Sequence, residues 1–136
     1  MELRNRASIK KIKIVWKPVA LPTTWLDAEK IRHVIYNLVD NAIKYTPTGT
    51  ITIKAYVDKG KVRVDVIDPG VGFTAKEAEG FFQKFYRADR ARHSEANGTG
   101  LGLYVCRKFA EGHDGSMECS SRGPGQGSTF TLLLPI

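Results

Sequence analysis

The spacing of apolar residues changes several times along the chain, and each change marks an element. In residues 11–17, Ile12, Ile14 and Trp16 share one face while Lys11, Lys13 and Lys17 share the other. That alternation predicts a strand with one wet side. Pro18 and Pro22 place a loop after it. The spacing then lengthens to a helical one: Ile31, Val34, Ile35, Leu38, Val39, Ala42 and Ile43 recur on one side of a helix. Asp27 supplies an N-cap, and Thr46-Pro47-Thr48-Gly49 ends the helix near Tyr45. Alternation returns at Ile51, Ile53, Ala55 and Val57, and again at Val62, Val64 and Val66. Asp58-Lys59-Gly60-Lys61 turns between them, which predicts a hairpin.

Beyond Asp68-Pro69-Gly70-Val71-Gly72, Thr74 and Glu77 have the spacing of a capping box. Ala78, Phe81, Phe82 and Phe85 follow at i, i+3, i+4 and i+7, predicting a short amphipathic helix. Residues 87–99 are polar and aperiodic, the pattern of a mobile loop. A glycine cluster, Gly98-Thr99-Gly100-Leu101-Gly102, opens another helix through Phe109 and Ala110. Two strands, about 115–121 and 128–134, flank a final glycine-rich turn. Strand runs with interspersed helices predict an α+β fold with helices layered on one face of a sheet.

At 136 residues the chain is read as one domain with a real core. No apolar run approaches the roughly 20 residues of a membrane span, and the opening residues lack the apolar core of a secretory signal. Cys106 and Cys119 have neither a disulfide-framework nor a zinc spacing, so a reducing setting is expected. The net charge of +7 allows an anionic partner (a nucleotide, a nucleic acid or an acidic protein face) without choosing among them. A merely solvated surface fits it equally.

Three groups of residues carry candidate chemistry. Asn37, Asn41 and Lys44 lie at i, i+4 and i+7, within about 60° of arc on the long helix, beside its apolar stripe. Amides cannot act as general bases, but their oxygens can ligate Mg²⁺, and a neighbouring lysine can neutralise phosphate. A hydrated helix face would look the same. Asp68 ends a strand just before two glycines, where a carboxylate could accept from an exocyclic amine such as that of adenine. An ordinary strand-end turn is the alternative. Gly98-x-Gly100-x-Gly102 before a helix offers bare backbone N–H groups to an anion. It matches neither the dinucleotide-binding fingerprint nor the P-loop.

In order, these segments resemble the conserved boxes of sensor histidine kinases. Asn37 to Pro47 is similar to the N box and Asp68 to Gly72 to the G1 box. Phe82-Gln-Lys-Phe85-Tyr86-Arg87 is similar to the F box, Gly98 to Leu103 to the G2 box, and Gly125-Gln-Gly127-Ser128-Thr-Phe130 to the G3 element. The set spans about Asp27 to Pro135. The resemblance implies the catalytic ATP-binding domain of such a kinase: a two-layer α/β sandwich of the Bergerat (GHKL) type, with a mixed, mainly antiparallel sheet, helices on one face and a mobile ATP lid. Residues 1–136 would form this one domain, with 1–8 a linker or expression remnant and the lid at about 87–99.

By the same resemblance, Asp68 would bind the adenine amine, with Ser128 supporting it and Gly70 and Gly72 admitting the ring. Asn41 would be the main Mg²⁺ ligand with Asn37 nearby, and Lys44 and Tyr45 would contact phosphate and nucleotide. The segment Gly98, Thr99, Gly100, Leu101 and Gly102 would close on the phosphates, and Arg87 would reach the γ-phosphate. Asn37, Lys44 and Arg87 are thus the expected catalytic group, and ATP and Mg²⁺ the expected cofactors. Phe82 and Phe85 would anchor the lid hinge. Pro69 stiffens the turn after the G1 aspartate, Gln83 replaces the usual F-box acid, and His113-Asp114-Gly115 is similar to the family's His-Gly-Gly turn.

Related ATPases and anti-sigma serine kinases carry a glutamate four residues before the Mg²⁺ asparagine, and here that position is Asn37. A histidine kinase needs no such base, because imidazole is already a competent nucleophile near neutral pH. None of His33, His93 and His113 has the context of the family's phosphoacceptor. The acceptor is therefore expected on a dimerising helical hairpin N-terminal to Met1, in a parent kinase that passes the phosphoryl group to a response regulator. The isolated domain is expected to be monomeric and cytoplasmic, with no contact to nucleic acid or membrane, whether or not its parent is membrane-anchored. Two alternatives remain: an anti-sigma-type module, which lacks its glutamate here, and a binding domain driven by the +7 charge, which leaves the glycine clusters unexplained.

Overall fold

In the computed structural model, residues 7–8, 11–17, 26–83 and 102–136 are described. The lid segment 87–99, with Arg87, Gly98 and Thr99, lies outside them, as do Phe85, Gly100 and Leu101. Five strands, β1 (Ile12–Lys17), β2 (Gly49–Asp58), β3 (Lys61–Asp68), β4 (Ser116–Ser120) and β5 (Ser128–Pro135), form one sheet in the order β1-β2-β3-β5-β4. β1 pairs parallel to β2, and every other pairing is antiparallel, so the sheet is mixed but mainly antiparallel. Helices α1 (Ala28–Lys44), α2 (Ala75–Ala78) and α3 (Gly102–Glu111) complete the described elements.

α1 starts where the sequence indicates. The Asp27 carboxylate accepts from the Lys30 N–H at 3.2 Å, and Glu29 adds negative charge to the first turn. Ile31, Val34, Leu38, Val39, Ala42 and Ile43 are buried against the sheet. The sheet face they meet carries Ile53, Ala55, Val62, Val64, Val66, Phe130, Leu132 and Leu134, all buried. The β2–β3 turn places Lys59 and Gly60 at φ +52° and +75°, the paired left-handed geometry that matches strand twist.

The opposite face of the sheet is polar. Tyr56 Oη donates to Asp65 Oδ2 at 2.6 Å and Thr131 Oγ1 donates to Asp65 Oδ1 at 2.7 Å, so a buried carboxylate is satisfied on both oxygens. The bond to Asp65 also holds the Tyr56 hydroxyl protonated, above its ordinary range.

Four expectations need correction. Trp16 is 48% exposed although it shares a face with buried Ile12, because β1 is an edge strand with a neighbour on one side only. Val57, beside the hairpin turn, is 46% exposed although Val62, opposite it, is buried. The helix expected over Ala78, Phe81, Phe82 and Phe85 stops at Ala78, and Phe85 lies outside the described residues. The capping box is present, with Thr74 Oγ1 accepting from the Glu77 N–H, but Gly80 follows and the chain continues through i→i+3 bonds from Gly80 to Glu77 and from Gln83 to Gly80. In the stretch read as a linker, Ala7 is buried in the core, so that stretch is not wholly external to the domain.

Leu132, fully buried in β5, and Val57, exposed in β2, make opposite stability predictions. Leu132→Ala is expected to cost about 2–5 kcal/mol and Val57→Thr less than about 0.5 kcal/mol in denaturant unfolding. Equal losses would contradict the core described here.

Candidate functional site

The register of β3 on β5 places Asp68 directly opposite Ser128 at the strand ends. Both are buried, at 5% and 4% exposure. Asp68 Oδ1 accepts the Gly70 N–H at 2.9 Å, which curls the chain after β3 back over the carboxylate. A Cβ at Gly70 would overlap the Tyr45 carbonyl and sit 2.9 Å from Asp68 Oδ1, so only glycine passes between them. The same Tyr45 carbonyl accepts the Val71 N–H at 3.0 Å and joins the end of α1 to this loop.

The glycine-rich turn before β5 docks on the same loop. Gly127 N–H donates to Gly70 O at 3.1 Å and Gly125 N–H to Val71 O at 2.7 Å. Gly127, at φ +77°, lies so close that a Cβ there would overlap the Asp68 carbonyl. Gly72 rests against Gly123 and Gly127 in the same way. One side chain ties the two loops: Ser121 Oγ donates to Gly127 O at 2.6 Å and accepts from the Phe73 N–H at 3.2 Å. Phe73 then packs edge-on to Phe81, at 4.7 Å between ring centres, and Phe82 stands edge-on to Phe130 at 6.4 Å.

Two buried hydroxyls at this end of the fold, Ser128 Oγ and Thr46 Oγ1, have no hydrogen-bond partner among the described residues. Buried hydroxyls are normally paired. Ser128 lies opposite the buried Asp68 carboxylate, and the two together suit a ligand edge that offers both donors and acceptors, as an aminopurine does.

Back along α1 from this end, Lys44, Asn41 and Asn37 are all half-buried, at the boundary the sequence indicates. Lys44 Nζ lies 3.2 Å from Asp40 Oδ2, an i, i+4 pair that fixes the ammonium on this face. Asn37 Nδ2 donates to His33 O at 2.8 Å, which turns its amide oxygen outward. The first residue of α3 meets it there, since a Cβ at Gly102 would lie 3.4 Å from Asn37 Oδ1. Among the described residues no cluster of three or more His, Cys, Asp or Glu could hold a metal. A cation here would rely on amide oxygens, a donor set that suits Mg²⁺ when phosphate oxygens and water complete its shell.

Asp68, Gly70, Gly72 and Ser128 therefore gather near Tyr45 at the C-terminal end of α1, and Lys44, Asn41 and Asn37 follow back along the helix to Gly102. Ser121 and Thr46 were not singled out by sequence. Ser121 could have been suspected as a serine at the mouth of a glycine turn. The burial of Thr46 depends on the sheet, and no local signal indicates it.

The model of the family described as histidine kinase-, DNA gyrase B- and HSP90-like ATPase matches residues 26–136. The adaptive-response sensory kinase SasA of Synechocystis sp. is 43% identical over 121 residues, covering 88% of this chain and 31% of that protein. The sensor histidine kinase WalK of Bacillus subtilis is 36% identical over 113 residues, covering 81% of this chain and 18% of that one. The chain thus spans less than a third of the length of these curated relatives. Among solved structures, full-length ShkA in complex with AMPPNP superposes with a TM-score of 0.84 at 29% identity, covering 98% of this chain and 27% of that one. The nucleotide-free catalytic domain of the histidine kinase ThkA gives 0.82 at 28%, covering 98% and 86%.

Ser121→Ala removes the tie between the two loops. It is expected to cost about 1–3 kcal/mol in thermal or denaturant unfolding, whereas Ser120→Ala, exposed on β4, should stay within about 0.5 kcal/mol. Indistinguishable variants would deny Ser121 this role.

Proposed function

The chain belongs to the histidine kinase-, DNA gyrase B- and HSP90-like ATPase family, and on that basis we propose that it is the ATP-binding catalytic domain of a sensor histidine kinase. It would donate the γ-phosphoryl group of ATP to a histidine on a separate dimerisation segment, from which a response regulator takes it, in the cytoplasm. The observation that carries this reading is the buried Asp68–Ser128 pair by the C-terminal end of α1, with the amide row Asn41, Asn37 running back from it along the helix.

Asp68 is the acceptor for the adenine amine, a base-specific contact because guanine has a carbonyl at that position. The backbone at Gly70 and Gly72 lets the ring approach, and Tyr45, at the end of α1, borders it. From Tyr45 to Asn37 the helix rises about 12 Å, which suits a nucleotide lying along it with its phosphates toward Asn37 and Gly102. Asn41 and Asn37 are the residues that would hold Mg²⁺, whose contribution when bound is to neutralise charge on the triphosphate. Lys44 adds a cation to the same face, steadied by Asp40. Arg87 and the backbone of residues 98–101 complete the phosphate contacts in this reading.

Neither Asn37 nor Asn41 can take a proton from water, so this row holds the triphosphate without activating a competing nucleophile. The remaining tasks are positioning and charge neutralisation, which phosphoryl transfer to an already nucleophilic imidazole requires.

Calorimetry of the domain with ATP is expected to show Mg²⁺-dependent binding, and Asp68→Asn to weaken it by about 1.5–3 kcal/mol through loss of a charged, buried acceptor. Mixed with Mg-ATP and a cognate histidine hairpin, the domain should label the hairpin and not hydrolyse ATP appreciably alone. No nucleotide uptake, or brisk unaided hydrolysis, would defeat the reading.

A further inference from the structure

α3 lies antiparallel along the first half of α1, and their contacts follow in sequence. Gly102 faces Asn37, and Cys106 Sγ approaches Val34 O at 3.9 Å. Phe109 meets the His33 ring edge-on at 5.4 Å and lies under Lys30 Nζ at 5.6 Å. The buried seam of α3 is made by the small residues Cys106 and Ala110, both 0% exposed. Such a seam lets the helices close up, but apolar contact is non-directional and offers little resistance to sliding along the axis. Burial also pushes the Cys106 thiol up to about 12, so it remains a neutral, weak donor.

The directional contact comes at the far end. The N–H of Asp27, the N-cap residue of α1, donates to His113 Nε2 at 2.8 Å, and His113 Nδ1 lies 2.7 Å from Phe109 O. A carbonyl oxygen only accepts and a backbone N–H only donates, so the ring is the neutral tautomer with its proton on Nδ1. Both ring nitrogens are thus used, one on each helix. The imidazole is itself fixed: α3 ends with Asp114 at φ +58° and the Gly115 N–H on Ala110 O at 2.8 Å. β4 begins at Ser116, immediately after.

We propose that His113 is a positioning residue for the triphosphate: by bridging Asp27 to Phe109 it sets the lengthwise register of α3 on α1, and so holds the Gly102 end of α3 at the Asn37 end of the site. This rests on the nucleotide reading above and adds a residue distant from the nucleotide. α3 is about 15 Å long, so loss of the stop at one end permits displacement of its N-terminus at the other. Asp68 and Ser128 belong to the sheet ends and are not moved by it. The expected consequence is selective, with weaker hold on the phosphates and an unchanged hold on the base.

The test compares His113→Gln, whose side-chain oxygen can still accept from the Asp27 N–H, with His113→Asn, which keeps only a donor for Phe109 O, and with His113→Ala. Mg-ATP binding is read by calorimetry and adenosine binding by NMR titration. His113→Asn and His113→Ala should weaken Mg-ATP by about five-fold, the worth of one hydrogen bond. Adenosine affinity should be unchanged, and His113→Gln should remain within about two-fold of the unsubstituted domain for both ligands. Should His113→Ala fail to fold, the Gln and Asn pair decides. Equal Mg-ATP affinity in that pair, or a parallel loss for adenosine, overturns the proposal and leaves the nucleotide reading intact. Failure of the unsubstituted domain to bind Mg-ATP overturns both.

Discussion

The antiparallel register that sets Asp68 opposite Ser128 is the constraint on which the candidate site depends. Side chains alternate between the two faces of a strand, so a shift of one residue between β3 and β5 would turn Ser128 to the polar side of the sheet and bring Thr129 alongside Asp68. The core forbids the shift. Val62, Val64 and Val66 on β3 pair with Leu134, Leu132 and Phe130 on β5, all buried under the helices, and a slip would expose the whole set. The energy that holds two polar residues together at the strand ends therefore comes from apolar packing further along the same strands.

Placing a carboxylate there has a local cost, which the adjoining loops meet with backbone donors. Asp68 receives the Gly70 N–H, and the loop carrying that donor is held from both sides, by the Tyr45 carbonyl at the end of α1 and by Gly127 ahead of β5. Glycine at positions 70 and 127 is required because the backbones of the helix end, the strand end and the turn approach more closely than a Cβ permits. Ser121 then bridges Phe73 and Gly127, coupling this junction to the aromatic group of Phe73, Phe81, Phe82 and Phe130. The polar pocket and the segment leading toward residues 84–101 thus share one anchor.

Much of this was legible from the sequence because the signals are local. The Asp27 cap, the seven apolar positions of α1 and the paired alternations of the hairpin each follow from spacing and end chemistry, and each element appears within two residues of its expected bounds. The five boxes, taken in order, located Asp68, Ser128, Asn37 and Asn41 before any fold was known. What escaped depends on non-local geometry. Periodicity placed Phe81 and Phe82 on a helix, but Gly80 and the pull of the Phe130 cluster turned them inward through tighter turns. Trp16 and Val57 have core-type alternation and are exposed, one on an edge strand and the other beside the hairpin turn. His113 reads as a turn residue in one dimension, and its second role requires Asp27, distant in sequence, to lie beside it.

The two ends of the candidate site are set by different kinds of contact. β-strand register fixes the Asp68 end, through many hydrogen bonds and a buried core that tolerate no intermediate position. Helix-on-helix packing fixes the Asn37 end, through a seam of small side chains and the few directional bonds around it. α1 takes part in both, joined to the strand loops through Tyr45 and to α3 through Asn37, Val34 and Asp27. A ligand lying along the C-terminal half of α1 would meet a rigid wall at one end and a softer one at the other. In the proposed reading that asymmetry suits gripping a base continuously while presenting a terminal phosphate to a separate acceptor, because adjustment near the phosphates can occur without releasing the base.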